Sequence, residues 1–102
     1  MPQFLVIAYD GTDADAPARR RAVRGAHFAG LKPMVDRGEL RVGGAILDDA
    51  GNMIGSAVVA DFPTRHELDA WLAREPYMRE GVWKKVEVKP FRIAVLDGKI
   101  TP

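Results

Sequence analysis

The chain has 102 residues, the length of a single ordinary domain. Fifteen basic and fourteen acidic residues give a formal net charge of +1, so no overall field would attract nucleic acid or anionic lipid. The sequence has no cysteine, which excludes disulfides, thiolate catalysis and cysteine-ligated metal centres. We therefore expect one domain stabilised by packing, with neither nucleic acid nor a membrane as a partner.

A buried strand and a long helix are predicted for the first third of the chain. The apolar run of residues 4–9 is closed by Asp10-Gly11-Thr12-Asp13, which is typical of a strand that ends in a turn. The run is too short for a signal or membrane segment, so we expect a cytoplasmic protein, with export by an unrecognised route as the alternative. Asp15 and Pro17 predict the start of the helix, which stops at Gly38.

One face of this helix is predicted to pack on the core. Val23, Leu31 and Val35 recur at steps of four and eight residues, and His27 fills the missing place in that stripe. Pro33 lies inside the helix and is expected to kink its last turn or end it early, because proline removes a backbone hydrogen bond. His27 is therefore expected to face the core.

A hairpin and a second helix are predicted next. The segments Leu40 to Leu47 and Ile54 to Phe62 are extended and rich in β-branched residues, and they are joined by residues 48–52, whose glycine and asparagine suit a hairpin turn. Thr64 and Glu67 form a capping-box pattern, which indicates where the second helix begins.

The last strand completes a recognisable order of elements. Residues 85–95 alternate apolar and polar, with a change of phase at Pro90 that predicts a bulge or bend at a sheet edge. The order β-α-β-β-α-β predicts an α+β, ferredoxin-like domain with an antiparallel sheet and both helices on one face. The other face would be covered by the same face of a second copy, which gives a homodimeric α/β barrel.

Residues 20–31, RRAVRGAHFAGL, resemble the first-helix signature of the YciI-like family. Four further matches support this resemblance, one before this segment and three after it. They are Asp10, the Gly43-Gly44 pair, Gly55-Ser56, and Glu75-Pro76-Tyr77 followed by Gly81-Val82 and Val88-Lys89-Pro90-Phe91. The resemblance implies one YciI-like domain over residues 1–102, with a tail at residues 96–102 beyond the family's usual end. Glu75 departs from the family, which usually has aspartate before Pro-Tyr.

The resemblance also implies an enzyme whose histidine and aspartate carry out acid-base chemistry. An imidazole titrates near pH ~6.5, so His27 could give or take a proton, although it could also be a core-edge histidine bonded to a main-chain carbonyl. Asp36 lies nine residues along the helix, about 180° around its axis, which argues against contact with His27. Asp10 comes from a neighbouring element and matches the family's aspartate. We predict a His27–Asp10 pair, with an ordinary turn aspartate as the alternative.

Three more side chains are candidates for substrate binding, each with a structural alternative. Arg24 could hold an anionic group or lie over apolar neighbours, Ser56 could bind substrate or serve its strand, and Tyr77 could line the cleft or pack beside the second helix. His66 is expected to be exposed, and neither a metal-ligand spacing nor a Gly-rich phosphate loop is present, so no metal or cofactor is expected.

Two functions follow from these residues. The first is a small homodimeric enzyme in which His27, oriented by Asp10, moves a proton on a small anionic or enolisable organic substrate, as an isomerase, lyase or dehydrochlorinase would. The alternative is a non-catalytic dimer that binds a small metabolite or acts as an accessory module. Substrate, reaction and pathway do not follow from the sequence.

Overall fold

The computed structural model describes residues 1–101. Its elements in chain order are β1 (Gln3–Asp10), α1 (Ala16–Asp36), β2 (Leu40–Leu47), β3 (Met53–Asp61), α2 (Arg65–Arg74), α3 (Pro76–Arg79), β4 (Trp83–Pro90), β5 (Val95–Leu96) and β6 (Lys99–Ile100). Strands β1 to β4 form one antiparallel sheet in the order β2-β3-β1-β4. The predicted fold class is confirmed for the single chain: it is an α+β, ferredoxin-like domain with a four-stranded antiparallel sheet.

Both long helices cover the same face of the sheet. Alternate residues of β1 point to that face, and their partners on β3 do the same, because side chains alternate along a strand. The buried core joins this face to the helices through Phe4, Val6, Ala8, Val58 and Ala60 of the sheet, Met34 of α1, and Leu68, Trp71 and Leu72 of α2.

Helix α1 buries a slightly different stripe from the predicted one. His27 is buried and Val23 and Leu31 pack against the core, but Met34 is buried next while Val35 is 52% exposed. A step of four residues advances by about 400°, so repeated steps of four drift around the helix and carry Val35 away from the sheet. The prediction that His27 faces the core is confirmed, and the prediction that Val35 packs on the core is wrong.

The helix continues through Pro33 to Asp36. The early end that proline was expected to cause does not occur, because the last turn keeps other hydrogen bonds, including the one that the Arg37 amide donates to the Pro33 carbonyl at 3.1 Å. Gly38 adopts a φ of 74°, which suits glycine and ends the helix as predicted. No helix within residues 1–101 is both long and apolar enough to cross a membrane.

The elements that local signals predict for the second half of the chain are present in the structure as far as Pro90. The Glu67 amide donates to Thr64 Oγ1 at 3.2 Å, so the predicted cap of α2 is confirmed. The last strand was expected to run to residue 95, but β4 ends at Pro90. Beyond it the amide of Phe91 donates to the carbonyl oxygen of Gln3 at 2.9 Å, which draws the chain towards the start of β1.

The tail forms a small hairpin of its own. β5 and β6 pair on either side of Asp97 and Gly98, whose φ values of 51° and 73° are those of a tight hairpin turn. Residue 102, the last of the predicted tail, lies outside the described residues.

Candidate functional site

The centre of the candidate site is a pair of buried side chains, one from the middle of α1 and one from the junction of α2 and α3. The Nδ1 atom of His27 is hydrogen-bonded to Oε1 of Glu75, and both side chains are almost completely buried. Glu75 precedes the short helix α3, and its Oε2 accepts a hydrogen bond from the Tyr77 amide at 2.6 Å. Both carboxylate oxygens are therefore engaged, one by the imidazole and one by the backbone.

Aromatic rings fix the plane of the imidazole. The His27 ring stacks on Tyr77 with 3.9 Å between centroids and 12° between planes, and the edge of Trp83 closes another side at 5.9 Å. Burial raises the pKa of the Tyr77 phenol, against the opposing effect of Arg20 and Arg24, so this side chain remains a neutral phenol. Tyr77, predicted to line the cleft or to pack, is placed under the imidazole.

A second buried network lies near the start of α1 and centres on Arg20. Arg20 Nη1 donates to both carboxylate oxygens of Asp10 at 3.0 Å, and its Nη2 donates to Ser56 Oγ at 3.0 Å. Ser56 Oγ also accepts from Trp83 Nε1 at 3.1 Å. Gly55 allows this strand to approach β1 closely, because a Cβ there would overlap the Ala8 carbonyl oxygen.

These contacts correct the predicted pairing. Within residues 1–101, His27 and Asp10 share no hydrogen bond: the carboxylate partner of His27 is Glu75, and that of Asp10 is Arg20. The reason is the length of the arginine, which reaches from α1 to the end of β1 and takes up both Asp10 oxygens. Arg20 and Glu75 were not among the predicted site residues. The signal for Glu75 was the acidic residue before Pro-Tyr, where the related family has aspartate.

His27 lies in the wall of a cleft between α1 and the β2–β3 hairpin. The volume of this cleft is about 520 Å³, which is within the range of sites for small organic molecules. Arg24 and Ser56, both predicted to bind substrate, line the same cleft. A larger cavity of about 1000 Å³ adjoins it and is lined by Asp10, Arg21 and again Arg24. The guanidinium of Arg24 thus stands between the two cavities.

The described residues offer little to a metal ion. No group of three or more histidine, cysteine, aspartate or glutamate side chains within residues 1–101 is arranged to hold one. His66, expected to be exposed, is exposed on α2. The polar side chains that line the cleft include the imidazole of His27, the guanidinium groups of Arg20 and Arg24, and the hydroxyl of Ser56.

Comparison with known sequences identifies the domain. The family model described as the YCII-related domain matches residues 2–92, so the tail hairpin lies beyond it. Protein YciI of Escherichia coli O6:H1 is 35% identical over 95 residues, which cover 87% of this chain and 97% of that protein. An uncharacterized protein of Haemophilus influenzae is 35% identical over 80 residues, 72% of this chain and 82% of its own.

Among solved structures, the 5-chloro-2-hydroxyhydroquinone dehydrochlorinase of Burkholderia phenoliruptrix AC1100, in complex with 2,5-dihydroxybenzoquinone, superposes with a TM-score of 0.77. The match covers 88% of this chain and 93% of that one, at 22% sequence identity, so the likeness establishes a shared fold. The family model and the curated relatives together show that the chain belongs to the family of YCII-related domains.

Proposed function

We propose that the protein is a small-molecule enzyme in which His27, held by Glu75, moves a proton on an enolisable organic substrate. The observation that carries this proposal is the buried imidazole bonded to a carboxylate at Nδ1 in the wall of a cleft. An ionised carboxylate can only accept, so the neutral ring bears its proton on Nδ1 and keeps a lone pair on Nε2. Within residues 1–101 no protein atom is hydrogen-bonded to Nε2, which leaves it available to a substrate.

The proposed reaction begins with Nε2 of His27 as general base. It takes a proton from a carbon next to a carbonyl group, and the electron pair of that C–H bond moves towards the carbonyl oxygen. The imidazolium that forms is stabilised by the Glu75 carboxylate. Return of the proton at another carbon completes an isomerisation, whereas departure of an anion such as chloride from the neighbouring carbon completes an elimination.

Ser56 is suited to donate a hydrogen bond to the oxygen on which charge develops. A hydroxyl has one donor and two acceptor positions, and both acceptor positions of Ser56 are used, by Arg20 at 3.0 Å and by Trp83 at 3.1 Å. The hydroxyl proton has no acceptor within residues 1–101, and the residue lines the cleft. In this proposal Asp10 acts on the site indirectly, by holding Arg20 against Ser56.

The same proposal includes a homodimer formed through the uncovered face of the sheet. The residues that point to this face are largely apolar and include Leu5, Ile7, Val42, Ile46 and Val59. Val42 is 50% exposed and Ile46 is half-buried, although both lie within β2. A second copy would cover this surface and bury its apolar side chains.

A non-catalytic metabolite-binding dimer is the second candidate. The observation that favours it is the tight packing of His27, which is only 7% exposed and is stacked on Tyr77. A histidine in such a place can serve stability alone. The two functions differ in what happens when the imidazole is removed.

The test is exchange of carbon-bound protons for deuterium in D₂O, followed by NMR, with a panel of 2-oxo acids and hydroxyquinones that includes 2,5-dihydroxybenzoquinone. The expected result is exchange that falls by about 10²–10⁴-fold in His27→Gln. His66→Gln is the matched control, because His66 is exposed on α2 and should leave the rate unchanged. Equal rates in the wild type and His27→Gln, or no exchange across the panel, would contradict catalysis and favour the binding protein.

A further inference from the structure

The cleft beside His27 has one charge that no protein group balances. Of its cationic lining residues, Lys32 is paired with Asp36 at 3.0 Å and Arg20 with Asp10 at 3.0 Å. Arg24 forms no ion pair within residues 1–101, and its guanidinium lies 5.0 Å from the centre of the Phe28 ring, on the cleft's own wall. A single unpaired guanidinium matches the charge and the forked shape of one carboxylate.

Apart from the Lys32–Asp36 pair, the lining of the cleft beyond His27 is apolar and partly open to solvent. Phe28 and Val35 of α1 are each 52% exposed, and Met53 on the facing hairpin is 45% exposed, yet all three line the cleft. Leu31 and Val58 form its floor. Apolar side chains grouped in this way along one cavity mark a surface that an apolar ligand would cover.

The unpaired charge and the apolar side chains are separated along the helix. Measured along the helix axis at 1.5 Å per residue, Arg24 is displaced from His27 by about 4.5 Å in one direction, and Leu31 by about 6 Å in the other. The axial separation of Arg24 and Leu31 is about 10 Å, roughly the length of an eight-carbon acid. The imidazole therefore faces the part of a bound chain that is close to its polar end.

We propose that the substrate is an amphipathic monocarboxylic acid, whose carboxylate binds Arg24 and whose apolar part lies along Phe28, Leu31 and Val35. The inference rests on the proposed function, since it places the carbons near the carboxylate beside His27. It goes further by assigning one end of the cleft to the anion and the other to a hydrocarbon chain or ring.

The first experiment measures binding of unreactive probes to the full chain by calorimetry. Butanoate, hexanoate and octanoate test the apolar end, while octylammonium and octanol test the polar end. Affinity should rise about threefold to fourfold for each added methylene as it is buried. Octanoate should bind at least about 10-fold more tightly than octylammonium or octanol, because charged hydrogen bonds are the stronger ones.

Matched variants locate the two ends. Arg24→Gln should abolish the preference for octanoate over octanol, whereas Arg21→Gln, three residues away and lining only the larger cavity, should keep it. Gly43→Val should weaken octanoate binding by filling the cleft, because a Cβ there meets its nearest neighbours at 3.6–3.7 Å and is tolerated by the backbone. Ala29→Leu, on an exposed site of α1 outside the cleft, should have no effect.

Equal affinity for octanoate, octylammonium and octanol would overturn the proposal, as would an equal loss in Arg21→Gln and Arg24→Gln. His27→Gln separates this inference from the proposed function, because probe binding needs no proton transfer. Selective octanoate binding that persists in His27→Gln, without any His27-dependent exchange, would support the binding site and contradict the enzyme. Exchange that depends on His27 but is unchanged in Arg24→Gln would support the enzyme and contradict the proposed carboxylate site.

Discussion

Removing the carboxylate of Glu75 should destabilise the whole domain, and the contacts of this side chain allow the magnitude to be worked out. In Glu75→Ala the Nδ1–H of His27 and the amide of Tyr77 both lose their acceptor in a buried place. Leaving a buried donor unsatisfied costs about 1–3 kcal/mol, so the loss of both acceptor contacts should lower the unfolding free energy by about 2–6 kcal/mol. That is a large share of the roughly 5–15 kcal/mol available to a domain of this kind.

Glu75→Gln is the more discriminating substitution, since it keeps the shape of the side chain. Its amide oxygen can accept from one of the two donors, but its amide nitrogen then faces the other donor, so about one charged hydrogen bond is lost, worth about 1.5–3 kcal/mol. Urea unfolding followed by circular dichroism measures both variants. Glu80→Gln, an exposed acid nearby, is the control and should change stability by less than about 0.5 kcal/mol. Glu75→Gln with the stability of the wild type would refute the reasoning.

Three further results are expected. Asp10→Asn should lower the unfolding free energy by about 3–5 kcal/mol, because it leaves the Arg20 charge buried without an opposite charge; an unchanged urea midpoint would contradict this. Val42→Asp should shift the protein from dimer to monomer in sedimentation analysis, while Ala29→Asp should not; a dimer in both would argue against the sheet-face interface. Hydrogen bonds from Asn52 hold the pKa of Asp48 below its usual range, so this turn is stabilised above the ordinary aspartate pKa and loses that stabilisation as pH falls through the lowered value. Amide NMR of Asn52 against pH measures that loss, and a titration at the ordinary pKa would contradict it.

Elements with local signals were predictable from the sequence. β2 has the predicted bounds, Leu40–Leu47, because its β-branched residues and the following turn act within a few residues of each other. The cap at Thr64 and the stop at Gly38 have the same origin. The tail hairpin also carried such a signal, Asp97-Gly98, which identifies a tight turn and could have been recognised.

The partner of His27 could not be predicted from a local signal, because the contact depends on packing between elements that are far apart in the chain. Helical geometry could exclude Asp36, but it could not choose between carboxylates on other elements. Glu75 is 48 residues away in the chain, and it reaches the imidazole only because α3 begins against α1. Asp10 is also close to this helix, but Arg20, which precedes His27 by two turns, occupies its oxygens. Such competition between side chains follows from the folded arrangement and leaves no local pattern.

The most direct test of the central claim is nitrogen NMR of the His27 side chain in the intact chain, with His66 as the internal reference. The site geometry predicts that the neutral His27 ring carries its proton on Nδ1 and that Nε2 is unprotonated, and that the Nδ1 proton signal is lost or displaced in Glu75→Gln. A neutral ring protonated on Nε2, or a spectrum of His27 unchanged by Glu75→Gln, would contradict the claim that Glu75 holds the imidazole ready to act as a base.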